Sequence, residues 1–155
     1  MDVLEYLKNE GIDYKVTEHK PTFSAQRMAA VEHEHGRFVA KPVIIKADGV
    51  LMMCVLDANH KVDLQRLKEN LGADNVELAD ETEIGNIFTD CELGAEPPLG
   101  NLYDMPTIMD KALEADDHIV FQAGSHEKAV RISMFDYKKL VNPKILDLSY
   151  HISHV

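Results

Sequence analysis

Residues 40–58, AKPVIIKADGVLMMCVLDA, carry the strongest structural signal in the sequence. Two runs rich in β-forming apolar residues flank the pair Asp48-Gly49. Asp-Gly is favoured in two-residue type I′ turns, because both central positions of such a turn need positive φ. The segment therefore predicts a β-hairpin, and the fold has to contain a sheet built on this antiparallel pair.

Helices and strands are predicted in irregular alternation around this hairpin. Asp2 is a plausible N-cap for the first helix, Ser24 for the second, and Asp80 with Glu83 has the spacing of a capping box. Hairpins occur in place of strict strand–helix–strand repeats, which predicts an α+β (mixed α/β) fold with a largely antiparallel mixed sheet surrounded by helices. The predicted helices are 2–10, one from about 24, 62–73, 80–88 and 135–141; the predicted strands are 12–19, 75–79, 106–110, 118–124 and 128–134, and about 143–155 form a tail of uncertain order.

Length and composition are those of a soluble globular chain. With 155 residues, of which 45% are hydrophobic and 28% charged, a single domain spanning 1–155 is expected. The longest apolar run, 50–56, is too short to cross a bilayer, and the acidic start does not resemble a signal peptide. Cys54 lies inside that run, so a buried thiol in a reducing cytoplasm is favoured over a disulfide with Cys91.

The charge balance limits the possible partners. The net charge is −11, from 27 acidic and 16 basic residues. Extensive binding to a nucleic-acid backbone needs a basic face, so a surface that follows a DNA duplex is not expected. A small pocket for one nucleotide end needs only a few cations and remains compatible with this charge.

Familiar catalytic motifs are missing from the sequence. There is no G-x-S-x-G elbow, no Walker-type loop and no C-x-x-C pair. His33 and His35 have a spacing found in metal sites, which leaves a metal-dependent hydrolase as a minor alternative. A solvated helix end explains these histidines better, and no metal ligand is assigned.

Lys41 and the loop 94–100, GAEPPLG, are the remaining candidates for a functional site. Lys41 lies at the head of an apolar strand, where its ammonium either extends to solvent or projects into the mouth of a pocket. Gly94 allows close approach of the backbone, and Pro97-Pro98 keep the loop rigid. Such a loop is either a structural turn or a set of backbone N–H donors for a carbonyl or oxyanion.

Together these segments resemble the YbaK-like aminoacyl-tRNA editing domains, which are also inserted in bacterial prolyl-tRNA synthetases. The resemblance covers about 2–142 and rests on VTEHKP, VAKPVIIKADG, LGAEPPLG followed by PTIMD, and FQAGSHEKAVRISM, in this order and spacing. The family's key lysine falls on Lys41, and its G-x-x-x-P loop falls on Gly94 and Pro98, followed by Gly100. The implied fold is the partly barrel-like α+β architecture of this family.

The resemblance implies hydrolysis in trans of the ester that joins a wrong amino acid to the 3′ end of a tRNA, with tRNA(Pro)-type substrates favoured. Lys41 would hold the terminal phosphate or carbonyl region, and N–H groups near Gly94 would meet the developing negative charge. The implied partners are the aminoacylated tRNA end and an aminoacyl-tRNA synthetase, with no membrane, DNA, metal or cofactor. The implied substrate-binding residues are Thr17, His19, Phe23, Ala95, Glu96, Pro98, Gly100, Gly124, Ser125 and His126.

Several positions depart from the family pattern. Pro42 follows the key lysine where relatives often have Thr, and Glu96-Pro97 replace small or apolar residues in the loop. A family aspartate of the closing hairpin is missing, with Ala129 near its place. These departures leave a second hypothesis open, in which the chain is a non-catalytic module that binds an aminoacyl group or an amino acid and docks on a synthetase or tRNA.

Overall fold

A computed structural model describes residues 2–22, 24–32 and 34–152. Besides α-helices and strands, it contains two short 3-10 helices, at Gly36–Phe38 and Gly100–Tyr103. The α-helices are α1 Val3–Asn9, α2 Ala25–Val31, α3 Leu64–Leu71, α4 Glu81–Ile87, α5 Lys111–Glu114 and α6 Met134–Val141. The strands are β1 Lys15–Glu18, β2 Ala40–Ala47, β3 Val50–Asp57, β4 His60–Val62, β5 Val76–Leu78, β6 Thr107–Asp110, β7 His118–Gln122, β8 Lys128–Ser133, β9 Lys144–Leu146 and β10 Ser149–His151.

The strands form three sheets, and the main sheet is mixed as predicted. Its five strands have the order β5-β2-β3-β6-β9, in which β2 pairs antiparallel with β3 and β5 while β6 pairs parallel with β3 and β9. A second sheet has the order β1-β8-β7, and β4 pairs with β10. A single parallel bridge between Val39 and Val120 connects the first two sheets. Within the described part of the chain, these sheets do not close into a barrel, and the α+β prediction is confirmed.

The hairpin predicted around Asp48-Gly49 is confirmed. Asp48 and Gly49 have φ values of 50° and 83°, as the turn requires, and Ala47 pairs with Val50 across it. The Asp48 carboxylate also accepts hydrogen bonds from the backbone N–H groups of Asp74 and Asn75. These bonds hold the turn against the chain entering β5, which pairs with the other edge of β2.

Apolar side chains cover both faces of the main sheet. Ile44 and Met53 belong to the larger core cluster, with Leu7 of α1 and Tyr137 of α6. Their neighbours Ile45 and Cys54 belong to a second cluster on the opposite face, with Leu67 of α3. Since successive residues of a strand point to opposite faces, a sheet covered on both sides needs continuous apolar runs in β2 and β3. The sequence has such runs there.

Two segments differ from the sequence expectation. The strand predicted over 12–19 begins only at Lys15, and Val16 is 39% exposed, because this edge strand pairs only with β8. The predicted tail contains β9 and β10, and 153–155 lie outside the described residues. No helix among the described residues is long and apolar enough to cross a membrane.

Both cysteines are free thiols, and Cys54 is fully buried as predicted. Burial raises the pKa of Cys54 to about 12, so its thiol stays protonated at neutral pH. The Cys54 side chain packs as a small apolar group in the cluster of Ile45 and Leu67.

Candidate active site

A cleft of about 300 Å³ lies where the start of β2, the beginning of α2 and the loop 94–100 meet. We call it the Lys41 cleft. It brings together Lys41, Gly94 and Glu96, which the sequence analysis selected from segments far apart in the chain. The remaining wall includes Met28, Pro42 and Gln122. The residues of this cleft combine a cation, a carboxylate, an amide and a rigid loop.

Lys41 is half-buried at the second position of β2. Burial lowers the pKa of its ammonium; the carboxylate of Asp57 opposes this effect and the ammonium of Lys61 adds to it. Among residues 2–22, 24–32 and 34–152, no carboxylate forms an ion pair with Lys41. Lys41 also lines a second cleft, which contains Lys61. The lysine therefore separates two clefts and can present its charge to a ligand.

Hydrogen bonds to the body of the protein hold the loop 94–100 at several points. The Ala95 carbonyl accepts from the N–H of Gly124 at 2.9 Å, and the Pro98 carbonyl accepts from the hydroxyl of Tyr137 at 2.5 Å. The N–H of Gly100 donates to the Thr107 hydroxyl at 3.0 Å. Residues 95–100 are buried. The loop is therefore a rigid wall whose geometry is set before any ligand binds.

His126 connects this loop to the chain before α2. Its Nδ1 lies 2.7 Å from the Thr22 carbonyl oxygen, and its Nε2 lies 2.8 Å from that of Leu93. A carbonyl oxygen only accepts, so both bonds form together only when both ring nitrogens carry protons. His126 is 5% exposed, and its ring packs beneath Gly94. In this arrangement His126 positions the loop.

The backbone N–H groups of the loop differ in their availability. The N–H of Gly94 donates to Oε1 of Glu96 at 3.0 Å, and that of Ala95 donates to the Glu92 carbonyl at 3.0 Å. The N–H of Glu96 has no acceptor within the part of the chain that the structure describes. The two prolines that follow carry no N–H. Of the loop N–H groups, that of Glu96 is therefore the one left without an acceptor among the described residues.

Glu96 points into the protein and not to solvent. Its residue exposure is 8%, and it lines the Lys41 cleft. Its Oε1 accepts from Gly94, while its Oε2 has no hydrogen-bond donor among the described residues. A carboxylate is thus held in the cleft wall with one oxygen engaged and the other ready for a donor on a ligand.

Gln122 is a cleft residue that the sequence analysis missed. It is 8% exposed at the end of β7, and its Nε2 donates to the Thr22 carbonyl at 3.2 Å. Its Oε1 is buried and has no partner among the described residues. A buried acceptor without a partner costs stability, which a ligand donor can recover. The sequence signal is a polar residue that ends the apolar run IVF at 119–121.

The other predicted site residues that the structure describes do not line the Lys41 cleft, and Thr17 lines a separate pocket with Glu32 and Arg131. The N–H of Gly124 donates to the Ala95 carbonyl, and the Ser125 hydroxyl accepts from the N–H of Glu127 in the adjacent turn. Thr17 donates its hydroxyl proton to Glu32, and His19 packs beside the same carboxylate. Pro98 and Gly100 belong to the buried end of the loop. Phe23 lies outside the described residues, and the roles implied for all these residues stay predictions.

No group of three or more His, Cys, Asp or Glu side chains within the described ranges is placed to hold a metal ion. His33, from the minor metal hypothesis, lies outside those ranges.

Gly94→Ala is expected to destabilise the protein by about 1–3 kcal/mol. Gly94 has a φ of 89°, and an added Cβ would lie 3.3 Å from Cε1 of His126. The matched control is Gly85→Ala in α4, where a Cβ meets nothing within 4 Å. Because glycine weakens a helix interior, the control is expected to gain about 0.5–1 kcal/mol. Denaturant unfolding of both variants measures the difference, and equal effects would contradict the constraint at Gly94.

Comparison with known proteins agrees with this arrangement. The family model for the aminoacyl-tRNA editing domain matches residues 19–140. The multifunctional Ser/Thr-tRNA deacylase ProXp-y of Escherichia coli (strain K12) is 26% identical over 150 residues, covering 94% of this chain and 89% of the relative. The prolyl-tRNA editing protein ProX of Acetoanaerobium sticklandii is 24% identical over 145 residues, covering 90% and 88%.

A solved structure has the same fold. It is described as that of a candidate trans-editing enzyme for prolyl-tRNA synthetase, and it aligns with a TM-score of 0.84 over 96% of this chain and 94% of that chain at 18% identity. The matched residues include Lys41, the loop 94–100 and the hairpin that carries His126. The resemblance inferred from the sequence is confirmed, and the chain belongs to the aminoacyl-tRNA editing domain family.

Proposed function

We propose that this protein is a deacylase that hydrolyses, in trans, the ester between a wrong amino acid and the 3′-terminal adenosine of a tRNA, with tRNA(Pro)-type substrates favoured. The observation that carries the proposal is the Lys41 cleft, in which the half-buried lysine faces the rigid loop of Gly94 and Glu96. The names of the two deacylase and editing relatives support the same reaction.

The reaction needs a positioned water and stabilisation of negative charge on the ester carbonyl, because an ester is already activated for hydrolysis. The Lys41 ammonium attracts the carbonyl oxygen or the neighbouring phosphate. The N–H of Glu96 has no hydrogen-bond acceptor among the described residues, whereas the N–H of Gly94 already donates to the Glu96 carboxylate. We therefore assign the oxyanion donor to Glu96 and give Gly94 the role of shaping the loop.

The cleft also offers an acceptor for the amino group of the substrate. Every aminoacyl-tRNA carries a free α-ammonium next to its ester carbonyl. Oε2 of Glu96, which lines the cleft, is without a donor among the described residues. Oε1 of Gln122 is also without one, but it is buried beneath the cleft surface. A charge-assisted hydrogen bond from the ammonium to Glu96 would orient the ester toward Lys41.

A panel of charged tRNAs tests the activity. We expect the purified protein to release amino acid from at least one of Ala-, Ser- and Cys-tRNA(Pro) faster than from Pro-tRNA(Pro), at a rate unaffected by chelators. Correctly charged Ala-tRNA(Ala) and Ser-tRNA(Ser) are the controls for the tRNA body. No release above the uncatalysed rate from any member of the panel would refute the proposed activity.

A synthetase partner and a cytoplasmic location form part of this proposal, because an enzyme acting in trans has to meet newly charged tRNA. The second candidate function is a non-catalytic aminoacyl-binding module. The observation that favours it is the hydrogen bond from the N–H of Gly94 to the Glu96 carboxylate, which leaves this N–H unable to bind an oxyanion. Binding of a non-hydrolysable aminoacyl-adenosine analogue in calorimetry, together with absent turnover, would establish that alternative.

A further inference from the structure

A second cleft of about 300 Å³ lies on the other side of Lys41, and we name it the Tyr150 cleft. It is lined by Lys41, Val43, Lys61, Leu64, Leu78 and Tyr150, among others. We propose that this cleft binds the terminal nucleotides of the tRNA, with a base stacked on the Tyr150 ring and a phosphate between Lys61 and Lys41. The inference rests on the proposed deacylase function, for which it supplies the nucleotide subsite.

The pairing of β4 with β10 creates the platform. Tyr150 lies directly opposite Lys61 in this antiparallel pair, so the aromatic ring and the ammonium project from the same face. Tyr150 is 49% exposed, and Lys61 is exposed as well. Exposed aromatic rings beside cations are the common platform for unpaired nucleotides, because each base can stack and each phosphate can pair.

The local charge contrasts with the acidity of the whole chain. The protein carries a net charge of −11, yet Lys41 and Lys61 share one cleft. Burial is the main cause that lowers the pKa of Lys41; the Asp57 carboxylate opposes it and the Lys61 ammonium adds to it. An anion between the two lysines would stabilise both ammonium groups. The nearby carboxylate of Asp57 is engaged by the His60 ring at 2.6 Å and the Asn59 N–H at 2.8 Å. An incoming phosphate would add a second negative charge beside Lys41, next to that of Asp57.

The position of Lys41 between the clefts connects the two parts of one ligand. A nucleotide held in the Tyr150 cleft would place its ester at Lys41, at the edge of the cleft that contains Glu96. Tyr150 lies beyond the residues 19–140 that match the family model. Family membership therefore does not assign this ring, whose placement follows from the β4–β10 pairing in this chain.

Binding of an RNA trinucleotide with the sequence CCA, compared with adenosine 5′-monophosphate, tests the inference directly. We expect CCA to bind more tightly, and Tyr150→Ala to weaken its binding about tenfold while Tyr150→Phe retains it. Lys61→Gln should make the slope of log affinity against log salt shallower by about 0.7. Phe135→Ala and Lys8→Gln remove an exposed ring and an exposed cation elsewhere and should change neither quantity.

Unchanged CCA binding in Tyr150→Ala, or no CCA binding by the wild type, would overturn the proposal. Equal affinities for adenosine 5′-monophosphate and CCA, both dependent on Tyr150, would assign the cleft to a free nucleotide and also overturn it. Thermal unfolding of each variant checks that the fold is intact, and an unchanged salt slope in the exposed-site variant Lys61→Gln would overturn the proposal if Tyr150→Ala unfolds.

The same variants separate this inference from the proposed activity. If the protein binds CCA through Tyr150 but deacylates no tRNA, the nucleotide subsite stands and the deacylase function fails. If it deacylates a charged tRNA with a KM that Tyr150→Ala leaves unchanged, the function stands and the subsite fails.

Discussion

Lys41→Ala is expected to lower the deacylation rate at least a hundredfold, since removal of one group that stabilises the developing oxyanion costs about 10²–10³ in rate. Lys41 presents a half-buried ammonium that no carboxylate of the described chain pairs with, at the junction of both clefts. The truncation should leave the fold intact, because the lost charge carries a desolvation cost and forms no ion pair there. Single-turnover hydrolysis of the best substrate in the panel measures the effect.

Lys46→Ala is the matched control on the same strand. Lys46 pairs with Glu83 at 2.9 Å and Glu77 at 3.6 Å at the opposite end of β2, away from both clefts. Solvent screens these surface ion pairs, so their loss should change stability little and leave the rate unchanged. Equal activity of Lys41→Ala and wild type across the panel would refute the role of Lys41.

The elements predicted correctly from the sequence depend on local chemistry. Asp48-Gly49 forms its turn, and Ser24 caps α2 by accepting from the N–H of Arg27. Asp80 and Glu83 form the predicted capping box at the start of α4. In each case, residues within a few positions of each other satisfy the backbone, so the pattern can be recognised without knowledge of the fold.

The parts that sequence patterns could not predict depend on pairing between distant segments. β4 and β10 are three residues each, too short for an alternating pattern, and they find each other only in the folded chain. The exposed face of β1 likewise follows from its position at a sheet edge. The sequence therefore predicts only a tail of uncertain order around Tyr150, whereas in the structure Tyr150 lies in β10 and lines a cleft with Lys41.

The candidate site shows the same division. The resemblance to a family predicts from the sequence that Lys41 and the loop 94–100 belong to one site. The sequence does not predict which backbone N–H groups of the loop lack an acceptor, because this depends on the direction of nearby side chains. Only the structure shows that Glu96 turns inward and occupies the N–H of Gly94, and that Gln122 joins the cleft from β7.

Glu96→Gln is expected to raise the KM for the aminoacyl-tRNA on the order of 30-fold, since loss of one partner of a buried charge pair costs about 2 kcal/mol or more. The amide oxygen of glutamine still accepts the N–H of Gly94, so the loop and the Glu96 N–H keep their places. Only the negative charge facing the α-ammonium is removed. Steady-state kinetics with charged tRNA measures the change, and an unchanged melting temperature shows that the loop is intact.

An N-acetylated aminoacyl-tRNA makes this prediction specific to the ammonium, because acetylation removes the substrate's charge. Wild type should prefer the free over the acetylated substrate by the same order of magnitude, and Glu96→Gln should lose that preference. Glu127→Gln, an exposed acid on the neighbouring turn, should keep the wild-type preference. Glu96→Ala should in addition lower stability, because it leaves the N–H of Gly94 without its acceptor. Equal discrimination by wild type and Glu96→Gln would show that the carboxylate serves only to hold Gly94, and that recognition of the amino group lies with Gln122 or elsewhere in the cleft.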